Sequence, residues 1–161
     1  MKLHRINRRQ LIPISMTEAW EFFSNPVNLS KITPPWLNLK VISDIPKSMH
    51  LGMIISYRIT PVAFMPTIWI SEITHVKIPT YFVDEQRLGP FRFWHHQHFF
   101  KEVGRDVEMQ DIVNYVMPLG PIGEMVHEIS ISKKSKIYLI FGKKRWNGFY
   151  SKLYPFKKVR A

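Results

Sequence analysis

Between Trp36 and Met117 the chain runs through one β-patterned segment after another, and no other feature constrains its fold as much. The stretch Leu37 to Ile45 alternates. Gly52 opens Ile54 to Thr60, and Thr67 to Val76, Tyr81 to Arg87, Arg92 to Val103 and Val107 to Met117 follow. Turn signals separate them, most clearly Leu88-Gly89-Pro90 and Val103-Gly104-Arg105-Asp106. Antiparallel neighbours need only a hairpin, whereas parallel ones need a long crossover, so this spacing predicts an antiparallel meander.

The flanks are helical. Residues 2–12 are a first strand. Ser15-Met16-Thr17-Glu18 fits a capping box and predicts a short helix carrying Trp20 and Phe23. Asn25 as N-cap and Pro26 at the first helical position start a second short helix, which Thr33-Pro34-Pro35 stops. Gly120-Pro121 is a helix start, and Met125, Val126, Ile129, Ile137, Ile140 and Phe141 roughly fit one stripe. That predicts a long C-terminal helix, against the β-branched composition of Ile129-Ser-Ile-Ser and Ile137-Tyr-Leu-Ile. The fold class is α+β, and 161 residues are expected to form a single domain over positions 1–161.

Composition sets limits on function. There is no cysteine, which excludes disulfides and thiolate chemistry. Aromatic residues make up 14%, and such side chains often line ligand sites. No apolar run approaches the roughly 18 residues of a membrane span. The run Leu11-Ile12-Pro13-Ile14 is too short for a secretory signal, so the expected location is cytoplasmic. The net charge of +11 belongs to the ends: the first ten residues and the stretch from Ile129 onward carry +14, and the middle carries −3. Basic ends attract phosphates and point to an anionic membrane surface, or simply to a solvated lysine-rich face; no RNA-binding motif points to a specific nucleic acid.

The order strand, two short helices, six strands, long helix resembles the START-like or Bet v 1-like (SRPBCC, polyketide cyclase-type) superfamily. Within it the chain is most similar to an uncharacterised bacterial branch of ligand-binding or cyclase-like proteins. The matching residues are Pro13, Glu18, Trp20, Phe22 and Phe23, then Pro26, Asn28, Leu29 and Ile32-Thr33-Pro34. Phe82, Asp84 and Gln86 before Gly89-Pro90-Phe91 follow, with Trp94, His96, His98 and Phe100 at every second position. Asp111, Val113, Tyr115, Pro118, Gly120 and Gly123 complete the match. The resemblance implies a helix-grip fold: a curved seven-stranded antiparallel sheet, two short helices after strand 1, and a long C-terminal helix closing a pocket. It implies no particular reaction.

Side-chain parity locates the polar residues. If Gly104 and Arg105 form a two-residue hairpin loop, Phe100 faces Met109, His98 faces Asp111, His96 faces Val113 and Trp94 faces Tyr115. Asp111 is then the one carboxylate on an apolar inner stripe, and a buried carboxylate needs a partner. A three-residue loop at Gly89-Pro90-Phe91 pairs Asp84 with His96 and Gln86 with Trp94. Asp84, Gln86, Trp94, His96, His98, Asp111 and Tyr115 thus make a polar-aromatic wall, with Tyr57 and Glu72 as further lining candidates. His95 falls on the other face.

Four readings fit this wall: recognition of a hydrophobic or lipid-like small molecule, two buried pairs that only fix strand register, acid–base catalysis, and a mixed N/O metal site. The first fits best, with no cofactor and no metal expected, because each histidine is matched to a carboxylate. The alternative is an enzyme of the cyclase, dehydratase or hydrolase type using His98 with Asp111 or His96 with Asp84. The oligomeric state is not encoded in any of these features.

Overall fold

The computed structural model describes residues 1–62 and 65–120. The expected C-terminal helix, Gly123 and the basic stretch beyond Ile129 lie outside the described residues. No described helix is long and apolar enough to cross a membrane.

The elements are β1 (Leu3–Ile12), α1 (Met16–Phe23), a 3₁₀ turn at Pro26–Asn28, α2 (Leu29–Ile32), a second 3₁₀ turn at Pro35–Leu37, β2 (Lys40–Val41), β3 (Ile54–Val62), β4 (Met65–Lys77), β5 (Tyr81–Leu88), β6 (Phe93–Val103) and β7 (Asp106–Val116). The strands form one curved seven-stranded antiparallel sheet in the order β1-β7-β6-β5-β4-β3-β2. β1 closes the meander from the far side, pairing with β7 from Leu3↔Val116 to Ile12↔Val107.

Local chemistry accounts for the helical layer. Ser15 Oγ accepts the Glu18 N–H at 3.3 Å and Glu18 returns the bond to the Ser15 N–H at 2.9 Å, so both ends of the capping box are made. Asn25 caps Val27. The face of α1 that holds Trp20 and Phe23 packs edge-on and tilted against Phe82 and Phe100 of the sheet. The main core lies there, with Ile12, Ile55, Ile59, Ile73 and Val107 almost fully buried.

One expectation is corrected. The strand proposed for Leu37 to Ile45 shrinks to Lys40–Val41. Pro34 and Pro35 commit the chain to a 3₁₀ turn, and Asn38 then takes a left-handed φ of 47°, so the extended run begins only after it.

Candidate functional site

Three neighbouring strands supply the inner wall. The β6–β7 hairpin has Gly104 at φ +64°, the conformation a tight two-residue loop requires of it. The register that follows is the expected one: Trp94↔Tyr115, His96↔Val113, His98↔Asp111, Phe100↔Met109. Across the β5–β6 pair, Asp84 faces His96 and Phe82 faces His98. Asp111 is 7% exposed and, with Ser71, one of two buried polar residues among those described.

The side chains do not form two separate pairs. His98 Nε2 lies 2.9 Å from Asp84 Oδ2, and His98 Nδ1 lies 3.0 Å from Asp111 Oδ1. His96 Nε2 lies 3.2 Å from Asp111 Oδ1, and His96 Nδ1 lies 3.4 Å from Asp84 Oδ2. Each imidazole therefore stands between both carboxylates. The cause is reach: imidazoles at every second position share a face, their rings 3.8 Å apart, and each extends to the diagonal neighbour as well as the direct one. The His98 Nδ1 contact is close but off-axis, so it is an ion-pair contact rather than an aligned hydrogen bond.

Burial alone would push the His98 imidazole down. The close contact and charge of Asp111, with the hydrogen bond and charge of Asp84, outweigh it and raise His98 to about 9. Burial would likewise raise both carboxyls, but the two histidines overcome it and hold Asp84 and Asp111 below the usual carboxylate range. The Trp94 indole N–H adds a weak favourable contact to Asp84 without reaching hydrogen-bond geometry; its Nε1 is buried with no bonded partner among the described residues.

Aromatic rings flank the cluster on both sides. Phe82 stacks on His98 at 4.1 Å. On the other side Trp94 meets Trp69 at 5.0 Å, Phe91 at 4.9 Å and Tyr115 at 6.1 Å. Neither Trp69 nor Phe91 is among the lining residues expected from sequence. The signals were present: Trp69 shares the parity of Ser71 and Ile73, and Phe91 ends the Gly89-Pro90 turn. Arg8 was missed as well: it stands opposite Asp111 across the β1–β7 pair and is exposed.

The remaining candidates divide. Tyr57 is buried on β3, and burial together with the charge of Asp84 pushes its phenol well above the ordinary value, so it neighbours the cluster. Gln86 spends its amide on the backbone N–H and C=O of Phe91, so it fixes the turn that presents Phe91. Glu72 is a correction: it lies on the opposite face, where its carboxylate accepts from Arg87 at 2.6 Å. Apolar residues occupy both parities of β4, and the fold buries Ser71 and Ile73 and so turns Glu72 outward. That outer face also carries a groove of about 530 Å³ lined by Arg9, Lys77, Tyr81, Phe99 and Lys101, which contains none of the Asp–His residues.

No family model and no curated protein matches the sequence. Solved structures do match the fold. A START superfamily protein from Mycobacterium smegmatis aligns with TM-score 0.66 at 11% identity, over 93% of this chain and 99% of that one. Protein Ms6760 from the same organism gives 0.66 at 14%, over 93% and 92%. A norcoclaurine synthase point mutant from Thalictrum flavum, in complex with a transition-state analogue, gives 0.61 at 14%, over 89% and 94%. The chain has the fold of the START-like and Bet v 1-like proteins.

Proposed function

We propose that the protein binds a hydrophobic or lipid-like small molecule bearing a polar group against the inner face of its sheet. One observation carries this reading: a wall of Trp69, Phe91, Trp94 and Tyr115 adjoins a buried Asp–His cluster, and the Trp94 N–H beside it has no bonded partner among the described residues. The rings offer apolar area, and the cluster offers donors and acceptors that orient one end of a ligand. The START-like fold supports it by analogy. The basic ends add a role at an anionic membrane surface, with a steep salt dependence as its mark.

Trp69 and Trp94 report on the site directly. Titrating the chelator-treated protein with a panel of long-chain and polycyclic hydrophobic compounds should change tryptophan emission at a saturable ligand ratio. The double variant Asp111→Ala with His98→Ala should bind roughly tenfold or more weakly, since it removes hydrogen bonds of the charge-assisted kind. Unchanged affinity in a folded double variant would remove this site.

A second reading, a cyclase-, dehydratase- or hydrolase-type enzyme, is favoured by the geometry of imidazoles oriented by carboxylates, an arrangement suited to proton transfer. Turnover of activated polyketide-like thioesters or esters, lost in His98→Ala and in His96→Ala, would establish it. No turnover across the panel counts against it.

A further inference from the structure

We infer that Asp84, His96 and His98 form a site for one divalent transition-metal ion, with Asp111 behind both imidazoles and orienting His96 by a hydrogen bond. The inference rests on donor geometry and does not depend on the hydrophobic-ligand reading.

Proton counting is the first argument. The two rings make four N···O approaches of 2.9 to 3.4 Å to two carboxylates. A neutral imidazole has one N–H, and its other nitrogen is a lone pair. Two neutral rings can therefore satisfy only two of the four approaches. The other two set a nitrogen lone pair against a carboxylate oxygen, which is repulsive unless a cation lies between them. Two extra protons supply that cation charge, and so does one metal ion.

The arrangement favours the metal on the Asp84 side. One donor atom each from Asp84, His96 and His98 lies within 4.8 Å of the others. Asp84 Oδ2 is 2.9 Å from His98 Nε2 and 3.4 Å from His96 Nδ1. Ligands bonded at about 2.1 Å sit about 3.4 Å apart on a tetrahedron and about 3.0 Å apart on an octahedron. Each of these two edges lies at a ligand–ligand spacing found in metal sites, and the third, between His96 and His98, is at most 4.8 Å. Of the remaining nitrogens, His96 Nε2 is hydrogen-bonded to Asp111 Oδ1 at 3.2 Å, and His98 Nδ1 lies 3.0 Å from the same oxygen in an off-axis ion-pair contact. A ligating histidine almost always gives its other N–H to such a carboxylate, which fixes the tautomer and aims the ring. Matching each histidine to its own carboxylate was the ground for setting a metal aside on sequence alone, and the shared contacts remove that ground.

The donor chemistry narrows the ion. Two imidazoles and one carboxylate suit zinc, iron or cobalt rather than calcium or magnesium. Three protein ligands leave positions open for water or a bound molecule, which is the pattern of reactive rather than purely structural sites.

Cobalt(II) tests this in the intact protein. Chelator-treated wild type should take up one Co²⁺ per chain with visible ligand-field bands of low coordination number, and Zn²⁺ should displace it. Asp84→Asn and His98→Gln should abolish the bands. Asp111→Asn should weaken binding about 10- to 100-fold, as loss of an orienting carboxylate does. His95→Gln, on the opposite face, should change nothing. Imidazole ¹⁵N shifts in the wild type provide a readout without variants: Zn²⁺ should move His96 and His98 alone. No stoichiometric binding, binding that survives Asp84→Asn in a folded variant, or shifts at other histidines instead would overturn the assignment.

Discussion

The two faces of β5, β6 and β7 carry ionisable groups in similar number and use them in opposite ways. On the outer face Arg87 bridges Glu72 and Glu85 at 2.6 and 3.2 Å, with its side chain 47% exposed. On the inner face Asp84, Asp111, His96 and His98 hold comparable distances at 10–20% side-chain exposure. His95 and His96 are consecutive in sequence, yet one approaches Glu85 at 3.9 Å on the outside and the other joins the cluster. Strand parity alone separates them. Distance is thus a poor guide to what an ion pair does: water screens the outer groups, whereas the inner ones depend on each other for solvation.

Removing one member from each face should expose this contrast. Asp111→Ala leaves protonated His98 buried beside a single carboxylate, and breaking a buried pair in this way costs about 3–5 kcal/mol. Urea unfolding should show that loss. An Asp111→Ala variant as stable as wild type would place the cluster outside the structural framework.

Acidity sharpens the same contrast. In chelator, His98 has a folded pKa of about 9 against an ordinary 6.5, so it binds its proton more tightly when folded. Its contribution is fully present below pH 6.5 and is lost as pH rises through 9. Asp84 and Asp111 are lowered from 3.8, so their contribution is present above that value and fades as pH falls below it. Tyr57 and Arg8 face the same region. Stability should therefore peak between about pH 4 and 6.5 and decline on both sides. In Asp111→Ala the alkaline decline should flatten, because His98 has lost one of its partners. An unaltered alkaline limb would mean that another group controls it.

Smaller effects belong to the exposed groups. Ser15→Ala breaks the capping box of α1 and should cost about 1 kcal/mol, read as a lowered melting temperature. Arg87→Ala removes two outer ion pairs and should cost about 0.2–1 kcal/mol despite a contact of 2.6 Å. A loss as large as that of Asp111→Ala would erase the distinction between the faces.

The sequence carried much of this architecture. Gly104-Arg105 set the β6–β7 register, and that register placed His98 opposite Asp111. Ser15 and Glu18 announced α1 through a local bond. Two things were not legible. Opposition along a ladder is a one-to-one rule, whereas imidazoles reach diagonally, so two expected pairs became one four-residue cluster. Glu72 was misplaced because β4 is apolar at both parities and shifts register at Ile70/Ser71 and Ile73/His75, so alternation alone could not orient it.

The central claim is that the inner face binds a small organic molecule beside the cluster. Native mass spectrometry of the gently purified protein, alone and with the hydrophobic panel, tests it most directly. An added organic mass should appear, depart on denaturation, and be lost or weakened in Asp111→Ala with His98→Ala. Bare protein under every condition, or an adduct that the folded double variant retains in full, would contradict it.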